Sequence, residues 1–168
     1  MPDEFDLIAK YFAPLAGDEG LGLQDDAACL PARPGFDMIV SKDVLFEGTH
    51  FLKGASATGL AQKALGVNIS DLAAKGAVPS AYFVGLVLPT DCSAEWIQAF
   101  AEGLAFGQKR FGLSLAGGLF LIHISDPRRP YSDSYAVFCL KNNAHYYYHP
   151  AADSLFVFFH SHHYFNHN

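Results

Sequence analysis

Glycine is missing from the last fifty of the 168 residues: all fifteen glycines lie between Gly17 and Gly118. A folded unit of fifty residues ordinarily needs several for turns and helix ends, so the C-terminal stretch lacks the punctuation of a domain. Basic charge is also scarce. Eleven Lys and Arg stand against seventeen Asp and Glu, a formal net charge of −6. No cationic stripe runs along any segment, which argues against nucleic acid as a partner. The three cysteines, Cys29, Cys92 and Cys139, are far apart. They form neither a CxxC pair nor a disulfide framework, so reduced thiols in a cytoplasmic protein are expected. The N-terminus Met1-Pro2-Asp3-Glu4 has no basic segment leading into a secretory apolar run, and no apolar stretch reaches membrane-spanning length. Hydrophobic residues still make up 51% of the chain and charged ones 17%, the composition of a globular protein with a sizeable core.

The two parts of the chain differ in more than glycine. Seven of the eight histidines follow Gly118, among runs such as Tyr146-Tyr147-Tyr148-His149 and Phe156-Val157-Phe158-Phe159-His160. The whole net negative charge belongs to residues 1–118, and the remainder balances to zero.

Residues 1–118 obey ordinary patterning rules. Phe5, Ile8, Phe12 and Leu15 recur at helical steps, predicting an amphipathic helix from about Glu4 that Pro14 ends or kinks near Ala13. Gly17, Gly20 and Gly22 then open a loop. Ala27 to Leu30 and Asp37 to Val44 predict two strands separated by a turn at Pro31 to Gly35. Ser56 to Lys75 predicts a helix closed by Gly76 and Pro79. Ala81 to Leu88 predicts a strand ended by Pro89. Ser93 caps a helix that runs to about Arg110, and Leu113 to Ala116 predicts a last strand before Gly117-Gly118. Helix, strands, helix, strand, helix, strand is an α+β or α/β order.

Carboxylates sit at several of the predicted junctions. Asp25-Asp26 follows the glycine-rich loop at the mouth of a predicted strand, although an isolated Asp pair is more commonly a solvated turn or cap. Ser41-Lys42-Asp43 offers a hydroxyl and a carboxylate, the hard oxygens that Mg²⁺ prefers; Lys42 by itself reads as an exposed cation on an edge strand. Asn68 and Asp71 share a face of the Ala/Leu-rich helix, and a carboxylate in so apolar a run should have a partner, either Lys75 or a metal. Asp26, Asp43 and Asp71, on three separate elements, would suit Mg²⁺ ions holding a polyphosphate. His50 is the one histidine before Gly118, and a lone histidine is more often structural than functional. Gly17 to Gly22 lacks the Lys-Ser/Thr of a phosphate-binding P-loop.

Three blocks acquire meaning together: Gln24-Asp25-Asp26-Ala27-Ala28, then Ser41-Lys42-Asp43-Val44-Leu45-Phe46-Glu47-Gly48-Thr49-His50-Phe51, then the run from Lys63 to Ala77 that contains Val67-Asn68-Ile69-Ser70-Asp71. In this order and spacing they resemble the thiamine-monophosphate kinase family, within the aminoimidazole-ribonucleotide-synthetase-like superfamily, from about Glu4 through Gly118. The resemblance implies an α+β fold: the N-terminal domain of that superfamily, a mixed sheet with flanking helices whose sheets join across a homodimer. It implies ATP-dependent phosphorylation of thiamine monophosphate to thiamine diphosphate, by direct in-line transfer with Mg²⁺ and without a phosphoenzyme. Asp26, Ser41, Asp43 and Asp71 match the family's metal ligands, and Lys42 stands where a backbone oxygen also helps. His50 matches a substrate-contacting histidine, and Gly118 part of the nucleotide site. Two departures stand out: Gln24 replaces a glycine before Asp25-Asp26, and Leu119-Phe120 replaces an Asp-Thr whose aspartate is another metal ligand. The resemblance therefore extends to an N-terminal portion only. Alternatives are a non-catalytic, dimer-forming module or another ATP-dependent member of the superfamily.

Residues 119–168 are expected to form no domain. Leu121 to Pro130 and Ser134 to Lys141 resemble translated sequencing adapter, which implies a gene fragment joined to foreign DNA. A His-rich metal-binding extension and a genuine frameshift are the competing readings. The apolar run Leu155 to Phe159 is expected to be β-forming and prone to aggregation.

Overall fold

The computed structural model describes residues 4–24, 27–32, 34–89, 92–121 and 154–164, with Glu4, 119–121 and 154–164 described through their backbone. Its first element departs from a plain helix. The chain begins as α1 (Glu4–Leu7), widens into a π-helical turn over Ile8–Phe12, and tightens to a 3₁₀ turn over Ala13–Leu15. Pro14 supplies no N–H, and its ring crowds the carbonyl four residues back, so a regular α-helix cannot continue through it. Leu7 and Phe12 turn into the core, while Phe5 is left 77% exposed. The glycine-rich stretch is not an open loop but two 3₁₀ turns, Asp18–Leu23. Residues 27–32 lie outside any strand or helix, so the predicted strand from Ala27 to Leu30 is absent. Cys29 N–H donates to Glu19 O at 2.9 Å, a bond within the N-terminal segment rather than a ladder.

The two long helices follow their end signals closely. Ser56 caps α2 (Ala57–Ala74), its side chain accepting from Gly59 N–H at 3.0 Å. At the other end Gly76 takes φ 70°, with Gly76 N–H bonded to Ala73 O and Ala77 N–H to Leu72 O, a closure that a β-carbon at Gly76 would strain. Ser93 likewise caps α3 (Ala94–Phe111) through Trp96 N–H at 3.2 Å. The helices lie side by side in the same direction: Thr58 Oγ1 donates to Ala99 O at 3.0 Å, and Gly103 then Gly107 face Ala61 then Leu65.

Among the described residues four strands form one mixed sheet. β1 (Phe36–Phe46), β2 (Val78–Val87), β3 (Ser114–Leu121) and β4 (Ser154–Tyr164) stand in the order β1-β4-β2-β3. β2, α3 and β3 make a parallel crossover unit, while β4 is antiparallel to both of its neighbours. Its pairing runs from Phe36↔Tyr164 to Phe46↔Ser154 on one side, and from Val78↔His162 to Val87↔Ser154 on the other. The segment expected to form no domain thus contributes an inner strand, and β3 itself continues past Gly118 to Leu121. The core of Leu60, Leu65, Leu72, Tyr82, Val84, Phe100, Leu104 and Leu115 fills the space between helices and sheet. On the other face of β1, Met38, Val40 and Phe46 remain 50%, 61% and 38% exposed.

Among the described residues Tyr82 is the largest fully buried side chain. Burial pushes its phenol well above the ordinary range, with a smaller opposing effect from the Gln108 side chain. Gln108 also donates from Nε2 to Leu15 O at 2.7 Å, tying the N-terminal segment to α3.

Candidate active site

β1 alternates between the two sheet faces, and its buried Leu45 identifies the face toward the helices. Ile39, Ser41 and Asp43 share that face by period, with Ile39 packed on the core and Ser41 and Asp43 partly buried. The helix across from them is α2. Ser41 Oγ donates to Asp71 Oδ2 at 3.1 Å, joining two residues thirty positions apart. Asp71 is exposed, not enclosed in an apolar setting, and its hydroxyl partner comes from β1. Lys42 points the opposite way on an edge strand and is exposed, as the reading of its side chain as an edge-strand cation anticipated.

One turn before Asp71, Asn68 is completely buried. Its Nδ2 donates to Ala64 O at 3.1 Å, but its Oδ1 has no partner among the described residues. An orphaned amide oxygen of this kind costs roughly 1–3 kcal/mol. Hydroxyl and carboxylate are the hard oxygens suited to Mg²⁺, and one of each, Ser41 and Asp71, is joined here. Among the described residues no three acidic, histidine or cysteine side chains are gathered closely enough to hold a metal. Asp26 lies outside the described residues, as does its neighbour Asp25. The chemistry of the set fits the ion, with Ser41 and Asp71 directly joined and Asp43 on the same strand face.

Beyond β1 the chain makes a turn on which His50 sits, exposed to solvent. Phe46 O accepts from His50 N–H at 2.8 Å, Gly48 N–H donates to Phe51 O at 2.7 Å, and Phe46 N–H donates to Nδ1 of the His50 ring at 2.9 Å. The imidazole thereby caps a backbone donor of the edge strand and lies tilted against the Phe46 ring, 5.9 Å between centroids. From α2, Lys63 Nζ donates to His50 O. Neither this lysine nor the Phe46 contact carries a spacing signal that sequence reasoning could have used.

Gly118 lies where β3 passes very close to β2. A β-carbon there would stand 2.0 Å from Val84 O, and one at Gly117 would stand 3.0 Å from the Phe83 ring. The glycine-rich turns reach the same strand from the other direction. Gly17 N–H donates to Leu115 O at 3.0 Å, Ser114 Oγ donates to Glu19 Oε1, and a β-carbon at Gly20 would touch Leu115 O at 3.0 Å. The segment leading to Asp25-Asp26 is therefore fastened beside β3, just before Gly117-Gly118. Glu19 and Ser114 were not singled out from the sequence, because their contact spans ninety-five positions.

Residues 24–139 match the family model described as AIR synthase related protein, N-terminal domain, a match that runs beyond Gly118. The chain is 44% identical over 119 residues to thiamine-monophosphate kinase of Caulobacter vibrioides, a stretch covering 70% of this chain and 34% of that protein. The crystal structure of thiamine-monophosphate kinase from Stenotrophomonas maltophilia K279a superposes with a TM-score of 0.64 at 29% identity, covering 95% of this chain and 42% of that one. A structure of AaThiL complexed with AMPPCP and TMP superposes at 0.60 and 20% identity, over 96% and 40% of the two chains, which bears on the fold alone. The chain spans about a third of the length of the curated relatives it matches.

Proposed function

The chain belongs to the AIR synthase related protein family, whose N-terminal domain it carries, and from that premise we propose that it is the metal- and substrate-binding part of a kinase that phosphorylates thiamine monophosphate with ATP. The observation that carries this reading is the Ser41–Asp71 junction between β1 and α2, with Asp43 on the same strand face. It lies within a sequence 44% identical to a thiamine-monophosphate kinase. In this reading Asp43 and Asp71, with Asp26, the Ser41 hydroxyl and the Lys42 carbonyl, hold Mg²⁺. The bound ion would neutralise charge on the transferring phosphoryl group and orient it. His50 contacts thiamine monophosphate, Gly118 borders the nucleotide, and transfer is direct, with no protein nucleophile.

The exposed apolar side of β1, with Met38, Val40 and Phe46, is the surface through which intact members would pair as cytoplasmic homodimers. Among the described residues no helix is long and apolar enough to cross a membrane. The 168-residue chain itself is proposed to be inactive. In-line transfer needs groups on both sides of the γ-phosphate, and one wall of a cleft cannot preorganise them. We also propose that residues 119–168 originate from foreign DNA; the family match continues to residue 139, and the nucleotide sequence around the Gly118 codon decides between the two origins.

The activity test compares this chain with a chimera joining Met1–Gly118 to the C-terminal part of a thiamine-monophosphate kinase, assayed for ATP-dependent formation of thiamine diphosphate. The chimera is expected to turn over and the chain is not. Asp43→Asn or Asp71→Asn in the chimera should lower kcat by about two orders of magnitude or more, because each removes a charge from the metal site. Near-normal turnover in either variant would remove that residue from the site.

A further inference from the structure

We propose that Lys63 is a positioning residue: by bonding the His50 carbonyl it holds the turn after β1 so that His50 offers its substrate a single N–H donor, from Nε2. The inference rests on the substrate-contacting role proposed above for His50. A neutral imidazole has one donor nitrogen and one acceptor nitrogen, and whichever partner is fixed at one of them decides the other. Here Nδ1 faces Phe46 N–H at 2.9 Å, and a backbone amide can only donate. Nδ1 is therefore the bare nitrogen, and the proton sits on Nε2.

Three backbone bonds and one side-chain bond from α2 hold that arrangement. His50 N–H and Thr49 N–H both converge on Phe46 O, at 2.8 and 3.3 Å. A third, from Gly48 N–H to Phe51 O at 2.7 Å, ties down the residue that follows. Lys63, anchored on the second turn of α2, adds a side-chain bond to the His50 carbonyl itself. The Phe46 ring against the imidazole limits rotation about the remaining side-chain torsion. The ligand atom that His50 reads is consequently a hydrogen-bond acceptor, such as a phosphate oxygen.

The test uses the 168-residue chain carrying ¹⁵N-labelled histidine, at mildly alkaline pH. His50 resonances are identified as those lost in His50→Gln. A long-range proton–nitrogen spectrum should show His50 with a bare Nδ1 and a protonated Nε2, and the amide of Phe46 should be protected from hydrogen exchange. Lys63→Met should speed exchange at Phe46 roughly fivefold, the scale of one lost hydrogen bond, and average the two tautomers. Amides of α3 should keep their parental rates, and Lys63→Arg should restore both His50 signatures. A proton on Nδ1 in the parent chain, which needs no variant to detect, overturns the proposal. So does a Lys63→Met chain whose His50 spectrum and Phe46 exchange match the parent's. Adding thiamine monophosphate separates this from the functional reading. A shift at Nε2 supports both, whereas a fixed tautomer that ignores the ligand overturns the substrate role of His50 and leaves Lys63 established as its positioning residue.

Discussion

A methyl group placed on Gly118 would lie 2.0 Å from the carbonyl oxygen of Val84, and since that oxygen belongs to the backbone no rotamer change relieves it. Gly118→Ala should therefore cost on the order of 1–3 kcal/mol, as overpacking of a well-fitted interior does, read from the midpoint of urea unfolding. A glycine needed only for contact with a nucleotide would show no such loss. Tyr82 makes a second residue-scale prediction. Its folded-state phenol titrates above the unfolded value because burial disfavours the anion. The neutral ring's contribution to stability is thus fully present below about pH 10, and it is lost as pH rises through the range in which only the unfolded chain ionises. Unfolding midpoints measured from neutral to strongly alkaline pH should fall less steeply for Tyr82→Phe than for the parent.

Between α2 and α3 the absence of side chains sets how closely the helices approach. A β-carbon at Gly103 would meet Thr58 O at 2.7 Å and Ala61 Cβ at 2.8 Å, while one at Gly107 would meet the end of the Leu65 side chain, Cδ1, at 2.3 Å. Backbone cannot yield without moving the helix, whereas a leucine can change rotamer at some packing cost. Gly103→Ala should accordingly lower the thermal midpoint more than Gly107→Ala, with both below the parent. The ends of these helices were legible in the sequence because their signals are local: Ser56, Gly76 and Ser93 each bond within a few residues of themselves. Ala27 to Leu30 carries a strand-like apolar pattern yet takes no ladder, since pairing depends on a neighbour that the pattern cannot supply. The site divides in the same way. Ser41, Asp43, His50 and Asp71 could be named from their blocks, but the bond between Ser41 and Asp71 crosses thirty positions. Lys63, Glu19 and Gln108 act only through contacts made after folding.

At the scale of the molecule, β1 hydrogen-bonds into the sheet through β4, and β4 is flanked on both sides along its length. A proline within β4 removes an N–H that an inner strand needs. Phe158→Pro, opposite Lys42 and Phe83, should therefore release β1. Hydrogen exchange at β1 amides is expected to approach the rate of unstructured chain while α3 stays protected. Equal protection in parent and variant would mean that β1 is held by its packing on α2 alone. The position of β4 also bears on synthesis. A ribosome delivers the chain from its N-terminus, and β4 emerges after every other described element. Until then β1 and β2 each present an unsatisfied ladder to whatever is near, including the same strands of nascent neighbours. Closing the sheet requires a contact between residues more than a hundred positions apart, a slow step for a chain of this size. Yield should consequently depend on translation rate and growth temperature more than on equilibrium stability, with slower synthesis prolonging the exposure that leads to co-aggregation.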